Sequence, residues 1–252
     1  MKKNQYPWIA LAIVSLCFIN SAHAENRVSY TGIARNEDKQ VVYVEKHLHV
    51  FENDAIKRSR TRYYSPDGKL IAELNSSYSF GPSLPEYRFI DHRSGLEEGV
   101  RRDATRVTLY SRAKRGAAIQ EKTFKITEDM KAGQGLHQYM REHLDKLAQS
   151  KEFDLQFLIP NRLEHYAFVI EPVQKKDDTV SFRMEIDSWL LNLFAGSLTF
   201  TYDRSTRHLI YYKGPSNLTD DEGDAQEVRI HYHYPKKQLT RQTSQLIHRS
   251  ES

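Results

Sequence analysis

The chain has one cysteine, two tryptophans and eight prolines among 252 residues, and past its first two dozen positions it has no long apolar run. A lone thiol excludes a disulfide framework. Because that thiol, Cys17, lies inside an N-terminal leader pattern, the rest of the chain has no thiolate metal site and no cysteine nucleophile. Charge of one sign is lacking too: 37 Lys and Arg stand against 33 Asp and Glu, a near balance that argues against a nucleic-acid partner. There is no Gly-x-Ser-x-Gly elbow, no phosphate loop and no dinucleotide fingerprint.

The leader itself is legible. Lys2 and Lys3 precede an apolar stretch of 11 residues, Ile9 to Ile19, which runs into Asn20, Ser21, Ala22, His23 and Ala24. That is the pattern of a secretory signal with an Ala-x-Ala cleavage site. The stretch is too short to cross a hydrocarbon layer of roughly 30 Å as a helix. Acylation at Cys17 fits less well, since Leu16 and Val14 occupy the positions where a lipoprotein signal requires other residues. The expectation is a signal peptide over residues 1–24, cleaved after Ala24, with no transmembrane segment in the mature chain. Removal would leave 228 residues with 35 basic side chains against 33 acidic ones. A chain of that size buries enough apolar surface to fold without a staple.

What is abundant is aromatic and β-branched: of 15 Tyr and 11 Phe, all but Tyr6 and Phe18 are spread with Val, Ile and Thr over short segments from Val28 to Tyr234. Turn residues recur about every ten positions, which indicates an all-β chain of about eleven strands. Between Val41 and Phe51, Val42, Val44, Leu48 and Val50 share one face, and Tyr43, Glu45, His47 and His49 share the other. The first face is expected to be dry and the second to meet solvent. Ser65-Pro66-Asp67-Gly68 is a turn, because Pro presets φ and Gly accepts a positive one. Arg115-Gly116, Pro160-Asn161, Lys176-Asp177-Asp178 and Asp203 to Thr206 mark further connections.

One segment departs from this rhythm. Leu136, Tyr139, Met140, His143, Leu144 and Leu147 recur at helical spacing within Gly135 to Gln149, with Gln138, Arg141, Glu142, Asp145 and Lys146 on the other side. Trp189 to Gly196 is nearly continuous apolar sequence, read as core or as a lid over a cavity. Residues 25–235 form one β-rich domain, and 236–252 read as a loose polar tail.

Two stretches, Tyr63 to Ala72 and Pro85 to Gly99, resemble a family of uncharacterised exported proteobacterial proteins, and Leu209 to Leu218 with Val228 to Tyr232 looks like that family's closing hairpin. The resemblance brings no activity with it and implies a periplasmic location. The layout is also similar to the periplasmic lipoprotein carriers. That similarity implies a single antiparallel sheet curved into an open half-barrel with one amphipathic helix packed against it, and an acyl chain held in its concavity.

Three constellations suit chemistry. Asp91 and Arg93, with Glu97 or Glu98 brought opposite by Ser94-Gly95, form a cluster able to bind a polar group or tune an acid, or else an ion pair fixing a hairpin. His47-x-His49 and His231-x-His233 have a spacing used by zinc and copper, provided the two strands are neighbours; solvent-facing histidines are the alternative. Arg58, Arg60 and Arg62 form a basic ladder suited to anionic headgroups, or to guarding an edge strand. No cofactor is implied.

The reading is a periplasmic protein that binds or carries an acyl chain or other apolar ligand, with Trp189 and Phe194 in the lid and Arg58, Arg60, Arg62, Asp91, Arg93 and Glu98 available to it. Its alternatives are an enzyme or metal protein using Asp91, Arg93 and Glu98 or the histidine pairs, and a module that binds an envelope protein by strand addition.

Overall fold

The computed structural model describes residues 25–187, 197–220 and 225–235. The leader over 1–24, Trp189, Phe194 and the tail over 236–252 lie outside the described residues. Strands β1 (Glu25–Arg35), β2 (Val41–Glu52), β3 (Ala55–Tyr64), β4 (Leu70–Ser77), β5 (Glu86–Asp91), β6 (Glu97–Arg102), β7 (Arg106–Arg112), β8 (Gln120–Lys125) and β9 (Met130–Ala132) lead to two helices. These are α1 (Gly135–Glu142) and α2 (Leu144–Gln149). Beyond them come β10 (Phe153–Ile159), β11 (Glu164–Lys175), β12 (Thr179–Ile186), β13 (Leu198–Asp203), β14 (Leu209–Thr219) and β15 (Ala225–His233).

Among the described residues all fifteen strands join one sheet in the order β8-β7-β6-β5-β4-β3-β2-β1-β15-β14-β13-β12-β11-β10-β9. Every pairing is antiparallel except β9 with β10. The sheet is therefore two meanders zipped together where β1 meets β15. The sequence reading undercounted strands because several turns, such as Asn53-Asp54 with both residues at positive φ, lack Gly and Pro. The expected connections at residues 65–68, 115–116, 160–161 and 176–178 fall between strands, and that at 203–206 begins on the last residue of β13. In the first, Gly68 at φ 88° donates its N–H to Ser65 O at 2.9 Å.

The hydrogen-bonded ladder stays open between β8 and β9. Side chains nevertheless bring its ends together: Lys122 pairs with Glu164, and Phe124 meets the His165 ring at 4.9 Å. Val100, Val107, Leu109, Met130, Ala132 and Leu158 form a buried cluster spanning both ends. The architecture is an open half-barrel whose rims are joined by packing.

The helical segment sits in the concavity. Leu136, Met140, Leu144 and Leu147 pack on Leu155, Phe168, Phe182, Met184 and Phe200, the largest core cluster. The expected span, Gly135 to Gln149, is present but interrupted at His143 (φ −110°, ψ 16°). There Arg207 Nη1 donates to the carbonyls of Arg141 and Glu142 at 3.2 and 3.4 Å. On the other side Glu142, Asp145 and Lys146 are exposed and Arg141 is half-buried, whereas Gln138 is buried, and Gln134 and His137 reach β3 and β13 through hydrogen bonds.

Candidate functional site

Strand pairing alone places the interior groups. Tyr30, His47, Thr61, Leu74, Phe89, Glu98 and Ser111 are successive partners across β1 to β7 and so point to one face, the concave one that buries Phe89 and Thr61. Tyr43, Glu45, His47 and His49 of β2 all point inward and are buried, each at 7 % exposure or less. The expectation that they meet solvent is thus corrected. Large amphipathic side chains fill the wide interior, while the Val42, Val44 and Leu48 side stays half-buried outside. Val50 is buried as well, next to a β-bulge.

Inside, Glu45 Oε2 lies 2.8 Å from His47 Nε2, and His47 Nδ1 lies 2.9 Å from Thr61 Oγ1. Gln134 Nε2 donates to Thr61 Oγ1 at 2.7 Å and its Oε1 accepts from Ser59 Oγ at 2.7 Å. Ser59 in turn meets Tyr78 Oη at 3.1 Å. The Glu45 carboxylate fits because its cross-strand partner is Gly32, where an added Cβ would come within 3.0 Å of Glu45 Oε2 and 2.8 Å of the Tyr232 ring.

A ring column runs beside this network. His208 stacks on Tyr234 (3.9 Å, 2°), Tyr234 on Tyr30 (4.5 Å, 18°) and Tyr30 on His47 (4.3 Å, 3°). His49 meets Tyr30 edge-on, with Nε2 at 3.3 Å from its hydroxyl. His137 Nδ1 lies 2.7 Å from Tyr202 Oη. Burial, reinforced by the neighbouring His47, drives the His137 imidazole down to about 4 and holds His49 well below its ordinary value. Both rings are neutral at neutral pH. The sequence reading missed this cluster because Tyr30, Gln134, His137, His208 and Tyr234 are spread over the whole chain.

The two histidine pairs do not come together. His47 and His49 are inside, whereas His231 and His233 are exposed on the outer face, and among the described residues no group of three or more His, Cys, Asp or Glu is arranged to hold a metal. Convergence fails because β15 presents Ile230 and Tyr232, not its histidines, to the interior.

Asp91 and Arg93 do meet. Asp91 Oδ1 accepts the Arg93 backbone N–H at 2.8 Å, Arg93 Nη2 donates to Oδ2 at 2.6 Å, and the same Nη2 donates to Thr219 O at 3.1 Å. The pair closes a hairpin and fastens β14 to it. Glu98 stands apart from this clamp, opposite Phe89; its Oε2 is buried and has no hydrogen-bond partner among the described residues. Burial raises its carboxyl to about 7.

The arginine ladder lies on the outer face. Ser29, Leu48, Arg60, Asn75, Arg88, Gly99, Tyr110 and Glu121 form one row of cross-strand partners, with Arg27, Val50, Arg58, Ser77 and Glu86 in the row beside it. At Gly99 the row is indented: an added Cβ would lie 2.0 Å from Tyr87 O and 2.6 Å from Tyr110 Oη. Around this dent is a groove of about 670 Å³ lined by Arg27, Arg58, Arg60, Arg88 and Arg101, with Leu48, Val50 and Tyr110 between them. Glu25 serves Arg27 and Arg58, Glu97 serves Arg88, and Glu121 serves Arg101; Arg60 has no ion-pair partner among the described residues. Arg62 is neutralised by Glu73 at 2.8 Å and does not line the groove. A second groove of about 580 Å³ continues from Arg101 to Arg106.

A scan of protein-family models and a search of curated proteins find no match. Among solved structures the chain is similar to the beta-barrel-like protein of a domain of unknown function, DUF1849, from Brucella abortus. The likeness covers 84% of this chain and 96% of that one, at 9% identity and a TM-score of 0.35. At that score the description of the fold rests on the strand pairings themselves.

Proposed function

We propose that this chain is an exported, periplasmic binding protein that takes an anionic amphiphile in the arginine-lined groove on the outer face of its sheet. The observation that carries this reading is the groove of about 670 Å³ with five guanidinium groups around Leu48, Val50 and Tyr110. Its volume suits a small molecule, and its mixture of apolar floor and fork-shaped donors suits a carboxylate or phosphate with an apolar body. Arg60 supplies a guanidinium not committed to a carboxylate among the described residues.

In the carriers that the layout resembles, the acyl chain occupies the concavity. Here Phe89, Phe182, Tyr202 and Met140 are fully buried there with α1, so an acyl chain in that position would displace the protein's own core. The bound molecule therefore lies outside, where Arg58 and Arg60 were expected to meet a headgroup. The leader pattern over residues 1–24 supports export. Asp91 and Arg93 serve in this reading as a structural clamp.

Calorimetric titration with monomeric dodecyl phosphate and with uncharged dodecyl maltoside tests the proposal. The phosphate should bind, the maltoside at least tenfold more weakly, and Arg60→Gln should weaken the phosphate about tenfold, as expected for one charge-assisted hydrogen bond of ~1.5 kcal/mol. Equal affinities for the two detergents, or an unaffected Arg60→Gln, would remove it.

A further inference from the structure

The second groove shares Arg101 with the first and is lined further by Arg106, Thr108, Glu121 and Thr123. At the junction the Arg101 guanidinium lies 4.8 Å over the ring of Tyr110, which belongs to the first groove, and pairs with Glu121, which belongs to the second. The two grooves therefore form one trough on the outer face, running from Arg27 on β1 to Thr123 on β8.

The far end of this trough carries an uncompensated charge of its own. Arg106 and Lys125 are exposed and stand directly opposite each other across the β7–β8 pair. Like charges in that position destabilise a sheet, and neither side chain forms an ion pair among the described residues. The two carboxylates of the groove are committed elsewhere. Glu121 serves Arg101, and Asp103 Oδ1 accepts the N–H groups of Thr105 and Arg106 at 2.7 and 2.8 Å together with the Thr105 hydroxyl at 3.1 Å. Arg60 is the corresponding group in the first groove, a guanidinium that no carboxylate serves among the described residues.

Strand register gives the distance between the two ends. The row of partners that contains Arg60 crosses Asn75, Arg88 and Gly99 and meets β7 at Tyr110, four residues from Arg106 and four strands from Arg60. At about 4.8 Å between strands and about 3.3 Å per residue, Arg60 and Arg106 stand roughly 20 Å apart. Side chains rise roughly perpendicular to a sheet, so the guanidinium groups keep much of that spacing and one phosphate or carboxylate does not meet both.

We propose that the trough takes an extended ligand with two anionic groups, one held at Arg60 and the other at Arg106 and Lys125, its body crossing the dent at Gly99 beside Tyr110. This rests on the reading of the first groove as an anion site and adds to it a second anion subsite and a ligand length. Arg106 offers a fork and Lys125 a point charge, and both suit a phosphate or a carboxylate. Joining two anionic groups by a linker that spans both subsites makes the second contact intramolecular, so a ligand with both groups binds more tightly than one with either alone.

The test compares dodecane-1,12-diyl bisphosphate with dodecyl phosphate, both monomeric, by calorimetric titration of the full mature chain, of Arg60→Gln and of an Arg106→Gln, Lys125→Gln double variant. The bisphosphate should bind the wild type at least tenfold more tightly than the monophosphate. The double variant should lose that gain while holding the monophosphate as the wild type does, which also shows that it is folded; Arg60→Gln should weaken both ligands. Equal affinities of the wild type for the two ligands, or a gain that survives in the double variant, overturns the two-anion proposal and leaves the first groove as an anion site. Absence of binding by either ligand overturns both readings. Sedimentation with phosphatidylglycerol vesicles that needs Arg60 and Arg106 together, combined with equal affinities for the two phosphates, would assign the trough to a lipid surface and likewise overturn the proposal.

Discussion

Replacing Glu98 with Gln should stabilise the protein in a strongly pH-dependent way. The Glu98 carboxyl is raised by burial from 4.5 to about 7, and Oε2 has no hydrogen-bond partner among the described residues. Below pH 4.5 the carboxyl is protonated in both folded and unfolded chains and contributes nothing to the difference. Between pH 4.5 and about 7 the unfolded chain releases its proton while the folded chain keeps it, so stability falls as pH rises; above pH 7 the penalty is complete. At ~1.4 kcal/mol per pH unit the full penalty is roughly 3 kcal/mol, an upper figure because Glu98 retains some exposed surface. Glu98→Gln removes it, which for a domain of this size corresponds to a melting temperature higher by about 6–12 °C at pH 8. Urea unfolding of both proteins at pH 4.5, 6 and 8 reads the effect, and the pH dependence separates it from any constant cost of the amide. A gap between the two proteins that is constant over this range would refute the reasoning, since it would mean that Glu98 titrates alike in the folded and unfolded chains.

Further outcomes follow from the same interior and from the groove floor. His137, held at about 4, behaves in the opposite sense: its contribution is present above pH 6.5 and is lost as pH falls toward 4, by roughly 3 kcal/mol, and His49 acts in the same direction. Acid unfolding curves of His137→Gln should therefore be flatter between pH 6.5 and 4 than those of the wild type. Thr61→Val leaves His47 Nδ1 and Gln134 Nε2 without a shared oxygen and should cost about 1–3 kcal/mol in denaturant unfolding. Gly99→Ala drives a methyl group into Tyr87 O and the Tyr110 ring; it should cost about 1–3 kcal/mol and, by displacing Tyr110, weaken dodecyl phosphate binding.

The strands were legible because period-two alternation and turn chemistry are local properties: four of the five quoted turns lie between strands, and the fifth starts on the last residue of β13. The direction in which β2 faces was not legible. Val42, Val44 and Leu48 are more apolar than Tyr43, Glu45, His47 and His49, yet the latter lie inside because the curled sheet leaves room for rings and a partnered carboxylate. The same reason explains α1, whose Gln138 is buried and whose His137, with Gln134 just before the helix, bonds to β13 and β3 instead of facing water alone. An amphipathic pattern reports which side of a helix is apolar; it does not report that the sheet curls far enough to cover part of the polar side as well, Gln138 being buried while Glu142, Asp145 and Lys146 are exposed. Arg58 and Arg60 could be read as a shared face from their spacing alone, but the groove they line also needs Arg88 and Arg101 from β5 and β6, a non-local pairing that spacing does not contain. For the histidine pairs, spacing indicated that each pair shared a face but not that the two faces were opposite ones.

The central claim is that an anionic amphiphile occupies the outer groove. Native mass spectrometry of the protein purified from the cells that make it, in wild-type form and as an Arg60→Gln, Arg88→Gln double variant, tests that claim most directly. The account predicts an adduct on the wild type that organic extraction removes and identifies as an acidic amphiphile, and its loss or strong reduction in the double variant. A wild-type protein that carries no such adduct and fails to acquire one from added dodecyl phosphate, or an adduct retained by the double variant, would contradict it.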